Sequence, residues 1–489
     1  MGSPLSICLV SSELTPFAKT GGLGDVVASV ARYLHLAGHD VRAFVPLYSK
    51  IDRQSIPFVP VAFLRDVPVR MGSRTYSFTV YTAPLPGTGL PLYFLHCPVL
   101  FDRPGIYTED ADEAVRFAFL SRAALECCQR MGWAPDVCHA NDWHTALLPL
   151  YLRTIYGWDQ LFARTRTLLT LHNIGYQGIF RSSLLGDLGL GEATSFLHQE
   201  DLAQGRLNFL KTGILYATAL STVSKTHANE LQTDRYGMGL QAILRARADH
   251  LFGIVNGIDV DVWDPSTDAL LPYTYTVDDL TGKKLDKRYL LEGMGLASEG
   301  DGPLLGIVSR LTAQKGFDLC FDVLPRLMSQ RDLRLVVLGT GEDRYRHFFE
   351  GMQVRFPGRV GFYYGYNEKL AHLVEAGSDL FLMPSLYEPC GLNQMYSQRY
   401  GTPPVVRETG GLADTVDPFD PATGQGTGFV FEHFTPEGLE WALHRALDTY
   451  ADPGAFGKVI RNGMARDFSW QTQIQRYVDL YRALISGRL

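Results

Sequence analysis

Thr20-Gly21-Gly22-Leu23-Gly24-Asp25-Val26, near the start of the chain, returns near its end as Thr409-Gly410-Gly411-Leu412-Ala413-Asp414-Thr415-Val416. Each copy follows a strand-like apolar run, Leu5-Ser6-Ile7-Cys8-Leu9-Val10 in one case and Pro404-Val405-Val406 in the other. Strand, glycine pair, then helical pattern is the opening of a βα unit. Glycines without a Cβ let the backbone come close to a ligand, and several N–H groups can then converge on an anion. A helix beginning just after them adds the positive end of its dipole. Lys19 stands ahead of the first pair and Glu408 ahead of the second. Two such loops predict two α/β domains gripping one anionic ligand between them.

The rest of the chain carries the same alternation. Strand patterns fall at residues 5–11, 41–46, 91–97, 135–140, 166–172 and 219–224, and again at 303–309, 333–338, 360–364, 380–385, 403–407 and 427–431. Helical patterns lie between them, among them Asp25–Leu36, Ala114–Arg130, Phe317–Gln330 and Pro436–Tyr450. Buried strands alternating with helices predict parallel sheets covered on both faces. The shift between halves falls in the polar segment 256–302, a linker followed by a helix over Lys287–Met294. The last amphipathic pattern, Trp470–Ile485, predicts a helix free to pack on either domain. In open α/β sheets ligands bind beyond the carboxyl ends of the strands, so an interdomain cleft is the expected site.

Bulk properties exclude several classes. The net charge of −7 argues against a nucleic-acid or membrane-surface binder, so any phosphate site must gather its cations locally. Seven cysteines without a Cys-x-x-Cys pair argue against a zinc site or a disulfide framework and fit a reducing, cytoplasmic setting. No apolar run reaches the length of a membrane span. Met1-Gly2 with Ser6 matches a short acylation pattern, but residues 5–10 read as a core strand.

Four further stretches carry chemistry. Ile307–Leu311 runs as a strand into Thr312-Ala313-Gln314-Lys315-Gly316, which puts Arg310 and Lys315 at a strand's carboxyl end, where a departing diphosphate needs cations. Tyr387-Glu388-Pro389-Cys390-Gly391-Leu392 follows another strand and offers a carboxylate to sugar hydroxyls; Cys390 reads as packing. Leu169–His172 leads into Asn173-Ile174-Gly175, which makes His172 a candidate at a third strand end. Asn141-Asp142-Trp143-His144 sets a carboxylate beside an aromatic, a pairing suited to sugar; its histidines lack metal-ligand spacing. Gly339-Thr340-Gly341 lacks the third glycine of the dinucleotide fingerprint, and Asp259-Val260-Asp261 is a triplet common by chance.

Together these residues resemble the bacterial glycogen synthases and plant starch synthases, glycosyltransferase family 5. The matching stretches are Ser12-Glu13, Lys19–Val26, Asn141–His144, Leu171-His172-Asn173, Ile254–Asp259, Ser309-Arg310-Leu311 through Lys315-Gly316, Glu388–Leu392 and Thr409–Asp414. The resemblance runs in order over nearly the whole chain. It implies a GT-B fold of two Rossmann-like, doubly wound α/β domains with a cleft between them. The domains would be residues 1–252, with a C-terminal helix at 469–489 packing back on them, and residues 253–468. The implied reaction transfers glucose from ADP-glucose to the nonreducing 4-hydroxyl of an α-1,4-glucan such as glycogen or a maltooligosaccharide, with retention and without a metal or other cofactor.

By the same resemblance, Lys19, Arg310 and Lys315 should contact donor phosphates, with Gly21, Gly22, Thr409, Gly410 and Gly411 supplying close backbone. Asp25, Asn256 and Tyr366 resemble nucleotide or closure contacts. Glu388 with the amides around Cys390, Gly391 and Leu392 should hold the transferred glucose, and His172 should line its anomeric face. Glu13 and Asp142 are expected near acceptor or sugar, and Lys287 resembles a lysine linked to activity. Where many retaining relatives carry a second glutamate after Glu388, this chain has Tyr396, which suits the glycogen synthase branch. The rival readings are a UDP-glucose-dependent GT-B transferase and a catalytically silent glucan-binding protein. A diphosphate clamp argues against the second, because glucan binding alone does not need one.

Overall fold

A computed structural model of the protein describes residues 3–298 and 302–488. Met1-Gly2, with the start of the acylation pattern, and Gly300-Asp301 in the linker lie outside the described residues. The chain divides into two units: Met1–Val223, Ala228–Ile254 and Gln473–Leu489 form one, and Ser224–His227 with Val255–Thr472 form the other.

The first unit's strands are β1 (Ser6–Val10), β2 (Asp40–Pro46), β3 (Val59–Pro60), β4 (Val67–Met71), β5 (Arg74–Pro84), β6 (Pro91–His96), β7 (Val137–Asn141), β8 (Arg166–Leu171), β9 (Ile179–Arg181), β10 (Arg206–Asn208), β11 (Ala219–Thr222) and β12 (Leu251–Gly253). The main sheet runs β12-β11-β8-β7-β1-β2-β6-β5-β3 and is parallel from β12 to β6. Its central strands are buried along their length: Ile7 faces Val41 on one side and Val137 on the other. Beyond β6 the sheet turns antiparallel, with β5 pairing β6 and β4. The predicted strands omit this hairpin. The alternating burial of β4, with Val67, Val69 and Met71 inside and Pro68 and Arg70 outside, marks a sheet with one wet face.

The second unit holds β13 (Leu304–Leu311), β14 (Arg334–Gly341), β15 (Val360–Tyr364), β16 (Leu380–Met383), β17 (Pro404–Arg407) and β18 (Phe429–Phe431), all parallel, in the order β15-β14-β13-β16-β17-β18. Alternate side chains feed opposite layers. Leu305, Ile307, Leu335 and Leu382 pack with helix Cys320–Gln330, while Leu304, Val336 and Phe381 pack with Leu290 and Leu291 of helix Thr281–Gly293. This second helix begins earlier than the predicted Lys287–Met294. The predicted Phe317–Gln330 helix divides into a 3-10 turn, Phe317–Leu319, and an α-helix from Cys320.

Strand order in the second unit is the doubly wound one, reversing between β13 and β16. The first unit reverses in the same way between β1 and β7. The crevice outside the carboxyl ends of such a strand pair is where this topology places ligands. The final helix, Trp470–Ser486, belongs to the first unit from Gln473 onward, where the Tyr481 hydroxyl meets Nδ1 of buried His139 at 2.8 Å.

Candidate active site

In the first unit the loop leaving β1 is organised by Glu13. Its buried carboxylate accepts from the Thr20 amide (2.7 Å), the Thr20 hydroxyl (2.6 Å), the Gly21 amide (3.2 Å) and the Tyr107 hydroxyl (2.5 Å). One amide of the glycine pair is therefore already turned toward a resident carboxylate. Lys19 and Asp25, both expected at a nucleotide, pair with each other at 2.7 Å on the exposed rim, and the Thr15 hydroxyl also donates to Asp25.

The loop leaving β7 carries Asp142 in the left-handed region, with φ of 54°. Such a conformation is costly for a non-glycine residue and turns the side chain in a direction a regular helix start would not allow. Its Oδ1 accepts the amides of His172 (2.7 Å) and Asn173 (3.3 Å), which ties the β7 loop to the β8 loop. Burial pushes the Asp142 carboxyl up to about 7, against the two amides that favour its charged form. Burial also pulls the His172 imidazole down to about 4, so this ring is neutral at pH 7. Asn141 donates its amide nitrogen to the Val10 carbonyl, leaving its Oδ1 as acceptor toward His172 Nε2 at 2.9 Å. Nε2 therefore carries the proton and Nδ1 presents a lone pair.

In the second unit the loops after β13 and β16 meet at the reversal. Lys315 donates to Glu388 Oε2 at 2.5 Å, and the Ser385 hydroxyl donates to the same oxygen at 3.1 Å. The Leu386 amide donates to the Gln314 carbonyl at 2.9 Å. Gly316, at φ of 74°, makes this approach possible, since a Cβ there would lie 1.9 Å from the Pro384 carbonyl oxygen. Arg310, at the end of β13, is exposed and its guanidinium makes no ion pair among the described residues. Tyr366 follows β15 on the same edge with 77% of its surface exposed. Asn256 is buried with Oδ1 unpartnered, and its backbone amide faces Cys390. Burial raises the Cys390 thiol to about 12, which leaves it a packing group. Leu392 precedes helix Asn393–Arg399.

The two glycine pairs, alike in sequence, differ physically. A Cβ at Gly21 or Gly22 would meet nothing within 4 Å. A Cβ at Gly410 would lie 2.0 Å from the Glu388 carbonyl oxygen, and one at Gly411 would lie 2.0 Å from that of Cys390. The second pair thus lets the Thr409 loop pack on the turn that carries Glu388. The Gly411 amide donates to the Glu388 carbonyl at 3.0 Å. In the second pair the missing Cβ serves packing between loops, which the sequence alone does not show.

Lys287 lies elsewhere. Its ammonium pairs with Asp379 at 2.6 Å, and Asp379 also accepts the Leu304 amide, so Lys287 sits at the amino ends of β13 and β16, away from the loops described above. Sequence reasoning missed Tyr107, Ser385 and Arg407, which reach the site across long sequence separations or through a loop without regular structure. The Asp259-Val260-Asp261 triplet forms a local turn, the Asp261 amide donating to Asp259 Oδ1. Among the described residues no three His, Cys, Asp or Glu side chains are grouped as metal ligands, and no helix is long and apolar enough to cross a membrane.

Residues 6–246 match the starch synthase catalytic domain family, and residues 295–462 match the glycosyl transferases group 1 family. With two doubly wound units and a candidate site at each strand-order reversal, the chain is a glycosyltransferase of GT-B architecture. It is 42% identical to glycogen synthase of Syntrophotalea carbinolica over 98% of this chain and 99% of that protein. It is 43% identical to glycogen synthase of Desulforudis audaxviator over 98% and 96%. The catalytic domain of starch synthase IV from Arabidopsis thaliana, solved with ADP and acarbose bound, superposes with a TM-score of 0.87 at 33% identity, covering 99% of this chain and all of that one. Sucrose-phosphate synthase from Thermosynechococcus elongatus shares the fold at 18% identity and a TM-score of 0.60. The chain belongs to the glycogen and starch synthase family.

Proposed function

We propose that this protein transfers glucose from ADP-glucose to the nonreducing 4-hydroxyl of an α-1,4-glucan with retention of configuration. The observation that carries the reading is the pairing of Lys315 with Glu388 at the strand-order reversal of the second unit, with Arg310, which makes no ion pair among the described residues, at the end of β13. Arg310 and Lys315 are cations placed where a diphosphate leaving group gains charge as the glycosidic bond breaks. Glu388 and the backbone around Cys390 and Gly391 offer acceptors and donors to the hydroxyls of the transferred glucose. Tyr366 offers an exposed ring to the nucleotide base. In the first unit, Asp142 and neutral His172 offer a carboxylate and a lone pair to sugar hydroxyls and to the positive charge that develops at the anomeric carbon.

The starch synthase IV domain holds ADP and acarbose, a nucleoside diphosphate and an oligosaccharide of the kinds this reading requires. Local cations supply the leaving-group chemistry, so no metal is needed, and the setting is cytoplasmic. The test is glucose incorporation into glycogen from ADP-glucose and UDP-glucose in parallel, with EDTA present, followed by digestion of the product with an enzyme specific for α-1,4 linkages. Digestible product chiefly from ADP-glucose is expected. Incorporation chiefly from UDP-glucose overturns the donor assignment, and none from either overturns the activity.

A further inference from the structure

The turn that carries Glu388 has no regular secondary structure between Pro384 and Leu392, so side chains and neighbouring loops hold its shape. The buried guanidinium of Arg407, the last residue of β17, reaches it from the adjacent strand. Arg407 Nε donates to the Ser385 carbonyl at 2.9 Å, and a terminal nitrogen donates to the Leu386 carbonyl. Two donors in one rigid plane, meeting two successive carbonyls, set the orientation of both peptide planes. Those planes aim the Ser385 hydroxyl at Glu388 Oε2 and the Leu386 amide at the Gln314 carbonyl. The second contact brings in the loop that carries Lys315. The guanidinium also lies 5.8 Å from the ring of Phe434, a face that suits a cation already removed from water.

We propose that Arg407 is a positioning residue for glucosyl transfer, holding Glu388 and Lys315 in register by fixing the carbonyls of Ser385 and Leu386. This inference rests on the reading of Glu388 and Lys315 as contacts to the donor. The role inferred for Arg407 is exerted through the backbone carbonyls it holds and not through contact with sugar or phosphate. A guanidinium is required because a lysine ammonium is a point donor that cannot span both carbonyls in one plane.

The test compares full-length Arg407→Ala, Arg407→Lys and Glu388→Gln for kcat, for KM toward ADP-glucose and glycogen, for thermal midpoint, and for restoration of activity by added guanidinium. Arg407→Ala is expected to lose some of its midpoint but to remain folded at the assay temperature and to keep its KM for glycogen, while kcat falls about 100-fold, the scale of a small misplacement of reacting groups. Guanidinium should restore part of that loss, and Arg407→Lys should fall between. Normal kcat in Arg407→Ala alongside an inactive Glu388→Gln overturns the inference alone. A loss of kcat that follows a loss of midpoint, without guanidinium rescue, also overturns it, since it marks a purely structural role. If Arg407→Ala does not fold, Arg407→Lys decides: lowered kcat at an unchanged midpoint supports the inference, and any other result overturns it. Full activity in Glu388→Gln overturns the site reading and the inference with it.

Discussion

Lys315 Nζ lies 2.5 Å from Glu388 Oε2, joining the loop after β13 to the loop after β16 where the strand order of the second unit reverses. A cation already paired with a carboxylate is held in place before any phosphate arrives, and the carboxylate is held before any sugar does. The cost of ordering both side chains falls on folding and not on the reaction.

Lys315→Ala and Arg310→Ala should therefore reduce turnover far more than stability. Each is expected to raise the barrier by about 2.7–4 kcal/mol, the scale for removing one preplaced donor from developing negative charge. Steady-state incorporation of glucose beside thermal melting checks this. Near-normal turnover in both folded variants removes them from the site.

Asp142 should link activity to pH if it serves the site as proposed. Its carboxyl titrates near 7 because burial disfavours the charged form. Lowering the pH through that value protonates it and removes an acceptor, so kcat/KM should rise with pH through about 7 and level off above. Asp142→Asn should be slower at high pH and should lose that rising limb. An unchanged limb in the variant assigns the titration to another group.

The glycine pairs should separate under substitution. Gly411→Ala forces a methyl to within 2.0 Å of the Cys390 carbonyl oxygen and should cost about 3 kcal/mol or more. Gly22→Ala meets open space at a helix start and should change stability by no more than about 1 kcal/mol. Chemical denaturation of the two variants measures the difference. Equal losses would mean that the second loop yields where its packing says it cannot.

Lys283 offers a test on stability. Its buried ammonium donates to the carbonyls of Ala376 (2.7 Å) and Tyr400 (3.1 Å) and to the Thr402 hydroxyl (2.6 Å), while Asp379, Glu375, Asp286 and Lys287 supply the surrounding charge. Burial pulls the ammonium down to about 7 from 10.5. Between those values the unfolded chain binds the proton and the folded chain does not, so this group makes stability rise with pH across that window. The slope is at most about 1.4 kcal/mol per pH unit. Lys283→Met should lose this rise, and parallel pH curves for wild type and variant would contradict the assignment.

The parallel strands other than β12 were legible because they are apolar runs set between helical patterns, and the reversal of strand order explains why candidate residues follow β1, β7, β13 and β16; β12, three residues long, is too short to show a pattern. The β4-β5 hairpin escaped because its alternating face is half polar. The glycine pairs read alike because sequence shows the absence of a Cβ but not what that Cβ would strike. Lys287 had no position from sequence because resemblance carries no geometry; its pairing with Asp379 supplies one. Tyr107 and Arg407 stayed hidden because their partners, Glu13 and the Ser385–Leu386 carbonyls, become neighbours only through the fold.

The division of the chain also bears on its synthesis. The first unit includes residues from Gln473 onward, and His139 finds its Tyr481 partner only there. Ribosomal synthesis delivers those residues long after Ile254. The second unit, closed by Thr472, has all its strands before the first unit has its last helix. Folding that follows emergence from the ribosome thus leaves the amino-terminal sheet waiting, its His139 face uncovered, while the later unit is made. A nascent chain stalled near Thr472 should expose that face to chaperones, and release of the remaining residues should close it.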